Sequence, residues 1–170
     1  MPMKNIFSGA KEYPFHLSIG ALLVNDTGEI CCHFYPEGLP YESGNEGKLY
    51  LLMRETPHEG ESIEDVVHRG IYEEFGAKGK ITHYLGTVNS WFPGVTTGIT
   101  IHKTTLYFLT KLDHIDLSKR DYDDVESTST IMWIEPEELK DIFIKQGKRF
   151  KRTDLDESKI VENYIKHARN

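Results

Sequence analysis

The sequence predicts an α/β fold, a mixed β-sheet between layers of helices arranged as an α/β/α sandwich. Strand-like runs precede and follow one strongly amphipathic segment near residues 63–75, and another helical pattern closes the chain. Strands on both sides of a central helix, with a further helix at the end, suit a sheet covered on both faces.

Phe15 to Val24 (His16-Leu17-Ser18-Ile19-Gly20-Ala21-Leu22-Leu23-Val24) reads as the first strand. Asn25-Asp26-Thr27-Gly28 is a hairpin turn, and Glu29 to Phe34 is the return strand. Residues 36–47, rich in Gly, Pro and polar groups, form a loop. Lys48 to Arg54 is a strand that delivers Glu55 to the start of the central helical region. Lys80–Val88 and Thr100–Leu112 are two more strands. Between them, Asn89-Ser90-Trp91-Phe92-Pro93-Gly94 is expected to be a loop carrying two aromatic rings. An acidic stretch from Asp121 to Glu126 leads to a short strand, Ile131–Ile134. Pro136 starts a helix in its first turn, where the missing N–H costs nothing. Asp154-Leu155-Asp156-Glu157 caps a last helix, at about 155–168, carrying Ile160, Val161, Tyr164 and Ile165. With no internal repeat or low-complexity tract, residues 1–170 are expected to form one domain.

Composition narrows the functional classes. Charged residues make up 28% and hydrophobic ones 38%, which is a globular balance. The apolar run Ile19 to Val24 is strand-sized, and no run approaches membrane-spanning length. The start, Met1-Pro2-Met3-Lys4-Asn5, lacks the apolar core of a signal peptide. Cys31 and Cys32 are adjacent in a strand, so their thiols point to opposite faces and do not pair. Free thiols fit a reducing compartment, and a cytoplasmic location is expected. Cys31-Cys32-His33 has no second ligand pair at zinc spacing. A net charge of −7 argues against nucleic-acid binding over the whole surface. Lys145, Lys148, Arg149, Lys151 and Arg152 form a local exception. Its plain reading is a solvated basic patch, and the alternative is a contact surface for phosphate or RNA.

The central segment carries the chemistry. Ser62 is a good N-cap with Asp65 three residues on, and Ile63, Val66, Val67, Ile71 and Phe75 mark one buried face. Gly76 is a natural stop. Glu73 and Glu74 follow Val66 and Val67 by seven residues, about two turns, so both lie near the extension of the buried stripe. Arg69 is four residues before Glu73, within ion-pair reach. Read without further context, this is also what a surface helix with solvated Glu–Arg pairs looks like.

The spacing of Glu61, Arg69, Ile71, Glu73, Glu74, Gly76 and Ala77 resembles the signature of the Nudix hydrolases, over residues 55–77. The order of strands extends the likeness, less specifically, over about 15–140. Two positions depart from the pattern. Glu55 stands at the opening glycine, and Gly70 stands where a metal-binding glutamate follows the arginine. Val66 and Val67, one turn earlier, carry no oxygen to replace it. One reading is that Glu55 reaches into the space left by Gly70 and restores the third carboxylate. The other is a degenerate site.

The resemblance implies a pyrophosphohydrolase that uses Mg²⁺ or Mn²⁺ to cleave a nucleoside diphosphate linked to another group. A dinucleoside polyphosphate is one such substrate. Hard cations take carboxylate oxygens, and the protein mainly positions the phosphates. The expected metal ligands are Glu73, Glu74 and Glu55, with Arg69 orienting a glutamate and Glu61 supporting the loop. Glu126 is the candidate general base, with Asp123 and Asp124 as alternatives. Lys103 and Tyr107 share one face of their strand and are candidates for phosphate and base binding, as are Trp91 and Phe92 for stacking. Each of these also fits an ordinary strand or loop. Two other functions stay open: a regulatory domain that binds a nucleotide without turnover, and an RNA 5′-end hydrolase using the basic cluster. A homodimer is common among relatives of this kind.

Overall fold

Strand β1 (Phe15–Val24) runs through the middle of the sheet and is buried from Ser18 onward. In the computed structural model, residues 7–38, 47–94, 98–123 and 125–170 are described. The other strands are β2 (Ile30–Tyr35), β3 (Leu49–Leu51), β4 (Met53–Glu55), β5 (Ala77–Pro93), β6 (Thr100–Ile115) and β7 (Thr130–Ile134). Their order is β3-β2-β1-β6-β5, with β4 also pairing β1 and β7 also pairing β2. The sheet is mixed because β1 and β6 run parallel, with Phe15 opposite His102 and Val24 opposite Lys111, while the other pairs are antiparallel.

Helix α1 (Ile63–Phe75) covers one face, and α2 (Pro136–Phe150) and α3 (Ser158–Ala168) cover the other. Val66, Val67, Ile71 and Phe75 meet Ile19, Ala21, Leu23, Cys31 and Met53 on the first face. Leu139, Phe143, Ile160 and Val161 meet Leu22, Cys32, Tyr107 and Leu109 on the second. This is the layered α/β/α arrangement that the sequence predicts. Cys31 and Cys32 are both free and lie in opposite clusters, as strand alternation requires.

Three local expectations need correction. The loop expected at Asn89–Gly94 is mostly strand, because β5 extends to Pro93 and stays paired with β6 as far as Thr100. That long hairpin starts at Ala77, directly after the helix stop, rather than at Lys80. Secondly, the strand expected over Lys48–Arg54 is two short strands. β3 pairs with β2 and β4 with β1, so the chain changes partner at Leu52. Thirdly, Asp154 and Glu157 do not serve as side-chain caps for the last helix. They turn inward, and α3 begins at Ser158 after a single turn of 3₁₀ helix, Thr153–Leu155.

Glu157 turns inward because it has work there. It is wholly buried, accepts from the Leu52 N–H at 2.9 Å and from the Tyr107 hydroxyl, and lies 4.0 Å from Arg54. It therefore ties the break between β3 and β4 to β6 and α3. Glu157→Ala leaves Leu52 and Tyr107 without an acceptor and weakens the compensation of Arg54. A loss of about 3–5 kcal/mol is expected, seen as a lower urea midpoint with an unchanged slope.

Candidate functional site

The caps of α1 form as the sequence implies. Ser62 Oγ accepts from Asp65 N at 3.1 Å, and Asp65 returns the bond by accepting from Ser62 N at 3.0 Å. Gly76 closes the helix in the left-handed region, with φ 65°. The helix thus holds Arg69, Glu73 and Glu74 at fixed heights.

Arg69 is the centre of a carboxylate cluster. Its Nε and Nη2 donate to the two oxygens of Glu61, each at 2.8 Å, in a bidentate pair. Nη2 also donates to the Thr56 carbonyl at 3.0 Å. Nη1 lies 3.2 Å from Glu55 Oε2 and 3.5 Å from Glu73 Oε2. The hydrogen bonds from Arg69 hold the Glu61 carboxyl down to about 2. Burial pushes Glu55 up, with Arg69 opposing and the nearby Glu73 adding to the rise. Sequence spacing led to the pairing of Arg69 with Glu73. The stronger partner, Glu61, and the convergence of Glu55 come from the fold of the loop.

Gly70 meets the side chain of Met53. A Cβ at position 70 would lie 2.6 Å from the Met53 sulfur and 3.2 Å from Glu55 Cβ. The space opposite the glycine is thus filled chiefly by a thioether, and the Glu55 carboxylate extends past it to Arg69.

Glu74 lies apart from that cluster. It is 3% exposed, and its Oε2 is 2.6 Å from His33 Nε2. His33 packs on Phe75 at 4.7 Å between ring centroids, and its Nδ1 is 2.7 Å from Ser129 Oγ. Burial, then Arg120 and Arg54, hold the His33 pKa down to about 3. The contact is therefore a hydrogen bond of a neutral ring rather than an ion pair. Among the described residues, no group of three or more His, Cys, Asp or Glu side chains is arranged to hold a metal.

The Arg120 to Ser129 segment is fastened to the end of α1. Arg120 Nε donates to the Glu74 carbonyl at 2.7 Å, and Asp121 N donates to the Glu73 carbonyl at 2.8 Å. These satisfy carbonyls that a helix end leaves open. Arg120 also donates to the Glu126 carbonyl at 2.8 Å and to Ser129 Oγ at 3.0 Å. Glu126 is therefore carried on a turn braced against the motif helix, with its side chain half-buried. Asp123 is exposed, and Asp124 lies outside the described residues. Ser129 and Arg120 gave no sequence signal beyond their polarity, and His33 stood out only beside Cys31 and Cys32, because the partners of His33 and Arg120 on the motif helix are far along the chain.

The substrate candidates divide between the two faces of the sheet. Trp91 is 58% exposed on the α1 face, and its indole N–H donates to His102 Nδ1 at 2.7 Å. Phe92 points the other way, with the Arg152 guanidinium 5.3 Å from its ring centre. The two do not form one stacking surface, since neighbours in a strand face opposite sides. Tyr107 is 1% exposed and bonded to Glu157, so its ring is part of the core. Lys103, half-buried, faces the α2 and α3 side, where burial and then Arg54 lower its pKa to about 7. Within the basic cluster, Arg152 is paired with Asp154 at 2.6 Å, while Lys145 and Arg149 join Lys48 around a hollow of about 260 Å³.

The NUDIX domain family matches residues 14–153. The chain belongs to the Nudix hydrolase family. Two Nudix structures share the fold at 18% identity. The MutT protein from Methanosarcina mazei Go1 has a TM-score of 0.57, over 92% of this chain and 97% of the other. The Nudix hydrolase from Nitrosomonas europaea has a TM-score of 0.60, over 89% and 88%. A Mycobacterium tuberculosis protein, provisionally named mutator protein MutT4, is 32% identical over 91 residues. That match spans 54% of this chain but only 34% of the relative, so the chain aligns with about a third of that protein. Nudix proteins typically depend on a metal. No helix here is long and apolar enough to cross a membrane, among the described residues.

The Arg69–Glu61 pair has a defined pH signature. Glu61 is held below its ordinary value of 4.5, so its stabilisation is present above about pH 4.5 and is lost as pH falls toward 2. Unfolding curves of the wild type and Glu61→Gln should differ at neutral pH and converge across that window.

Proposed function

We propose that this Nudix protein is a divalent-cation-dependent pyrophosphohydrolase acting on a nucleoside diphosphate joined to another group. Water attacks phosphorus and the phosphoanhydride bond breaks. The observation that carries this reading is the approach of Glu55 and Glu73 to one nitrogen of Arg69, at 3.2 and 3.5 Å. Side-chain exposures of 20% and 35% leave both carboxylates open to solvent. Two carboxylates fit Mg²⁺ or Mn²⁺, since Mg²⁺ is commonly held by one or two carboxylates plus substrate phosphates and water. The cation would neutralise charge on the phosphates and polarise the bond that breaks.

The chain's own groups divide the remaining tasks. Arg69 keeps Glu55, Glu61 and Glu73 together and orders the loop through Thr56. Glu74 secures the helix to the sheet through His33. Glu126 takes the proton of the attacking water, from a turn held by Arg120 and Ser129. In this reading Glu55 and Glu73 are the principal ligands, and Glu74 supports them.

A second reading follows from Gly70 and from the burial of Glu74. With these two positions unable to offer ligands, the domain would bind a nucleotide and regulate without turnover.

The deciding assay is hydrolysis across dinucleoside polyphosphates, ADP-ribose, nucleotide sugars, nucleoside triphosphates and 5′-triphosphate RNA, each with Mg²⁺ and Mn²⁺. Turnover that falls roughly 10²-fold in Glu73→Gln, with Mn²⁺ affinity reduced in both Glu73→Gln and Glu55→Ala, is the expected result. Binding of a nucleotide without turnover on any substrate would move the conclusion to the regulatory reading.

A further inference from the structure

Lys103 is flanked by two polar side chains on neighbouring strands. On β6 it is in register with His16 of β1 on one side and with Ser90 of β5 on the other. Residues in register share a face, so all three project to the α2 and α3 side. Neighbouring strands lie about 4.8 Å apart, which walls the lysine stem on both sides. Ser90 is 2% exposed, and His16 Nε2 is held by Thr56 Oγ1 at 3.1 Å. Lys103 is half-buried, and with His16 and Ser90 it borders a hollow of about 440 Å³ that is open to solvent. Its side chain makes no hydrogen bond or ion pair among the described residues.

The carboxylates that face it are already taken. Arg152 holds both oxygens of Asp154, at 3.0 and 2.6 Å. Arg54 donates to the Asp154 carbonyl at 3.0 Å and lies 4.0 Å from Glu157. Glu157 also accepts from Tyr107 and from the Leu52 N–H. Two guanidinium charges thus meet at most two carboxylate charges, and a third cation has no counter-ion. His16 adds no charge near neutral pH, since burial holds its ring down to about 4. For Lys103, burial and then Arg54 outweigh Asp154 and Glu157, and its pKa falls to about 7. Desolvation and a neighbouring cation are the conditions that turn a lysine into a nucleophile.

We propose that Lys103 is a nucleophilic amine and a site of acylation, taking a short acyl group from an acyl phosphate. The unprotonated Nζ attacks the acyl carbon, the bond from that carbon to the phosphate oxygen breaks, and phosphate leaves with the electron pair. The nitrogen gives one proton to solvent, and a neutral amide remains. Charge selects this outcome. The amide adds none to a cluster whose charges are already matched, and the guanidiniums of Arg54 and Arg152 favour an anionic leaving group. The walls of His16 and Ser90 keep the acyl group short. This role is separate from the cation site and does not depend on hydrolysis there. It also differs from the phosphate contact that the sequence of the strand suggests.

The test uses the full chain and acetyl phosphate between pH 6 and 10, with acetylation at each lysine followed by peptide mass spectrometry. At pH 7, Lys103 should react about 10-fold faster than the exposed Lys78 and Lys119. Its rate should level off above about pH 8, whereas an ordinary lysine amine gains about tenfold per unit as far as about pH 10. Lys103→Arg should remove the fast site and leave the rates of Lys78 and Lys119 unchanged. A Lys103 rate no greater than theirs at pH 7, or one that keeps climbing to pH 10, overturns the proposal.

Discussion

Helix α1 packs on β4 through Met53, whose thioether fills the space opposite Gly70, and much of the site follows from that approach. A Cβ there would come within 2.6 Å of the Met53 sulfur. Met53 is itself fully buried and packed among Val66, Val67 and Ile71. The close contact brings Glu55, at the end of β4, beside the helix and within ion-pair distance of Arg69. A side chain at position 70 would require the end of the Met53 side chain to move aside. The companion of the glycine across the gap is thus a methionine.

Buried charge in this protein is partnered on both faces of the sheet. On the α1 side, Glu74 is met by His33, which bonds Ser129 in turn. On the other side, Glu157 is met by Tyr107, Leu52 and Arg54, and Asp154 by Arg152. Apart from Arg152 and Asp154, which are near neighbours in the chain, these groups join residues 41 to 105 positions apart. An isolated carboxylate in such surroundings would shed its charge rather than stay ionised. The partners hold the strands in register and fix the motif helix against the sheet.

Much of the fold was legible in the sequence because it depends on local pattern. The turn at Asn25–Gly28 forms with the Asn25 side chain accepting from Thr27 and Glu29, as such residues do. The α1 boundaries came from Ser62 and Gly76, whose capping roles are set by their own backbone and side-chain chemistry. What was misplaced depends on distant partners. Asn89 to Pro93 contains a proline and looks like a loop, yet pairing with Thr100 to Thr104 makes it strand. Glu157 resembles a cap residue, and Tyr107 and the Leu52 N–H, 50 and 105 positions away, draw it inward instead.

Periodicity and spacing alone determined that a capped helix would present Arg69 and two glutamates after a strand ending in Glu55. Helical geometry repeats within a few residues, and seven residues are nearly two turns. Only the tertiary structure decided which glutamate each partner received. Glu73 and Glu55 share Arg69 at the surface, while Glu74, one residue farther round the helix, meets His33 in the interior. The physical reason is angular: neighbouring residues on a helix differ by about 100°. Which side of the helix is buried depends on where the sheet lies. The sheet, in turn, is assembled from strands far apart in sequence.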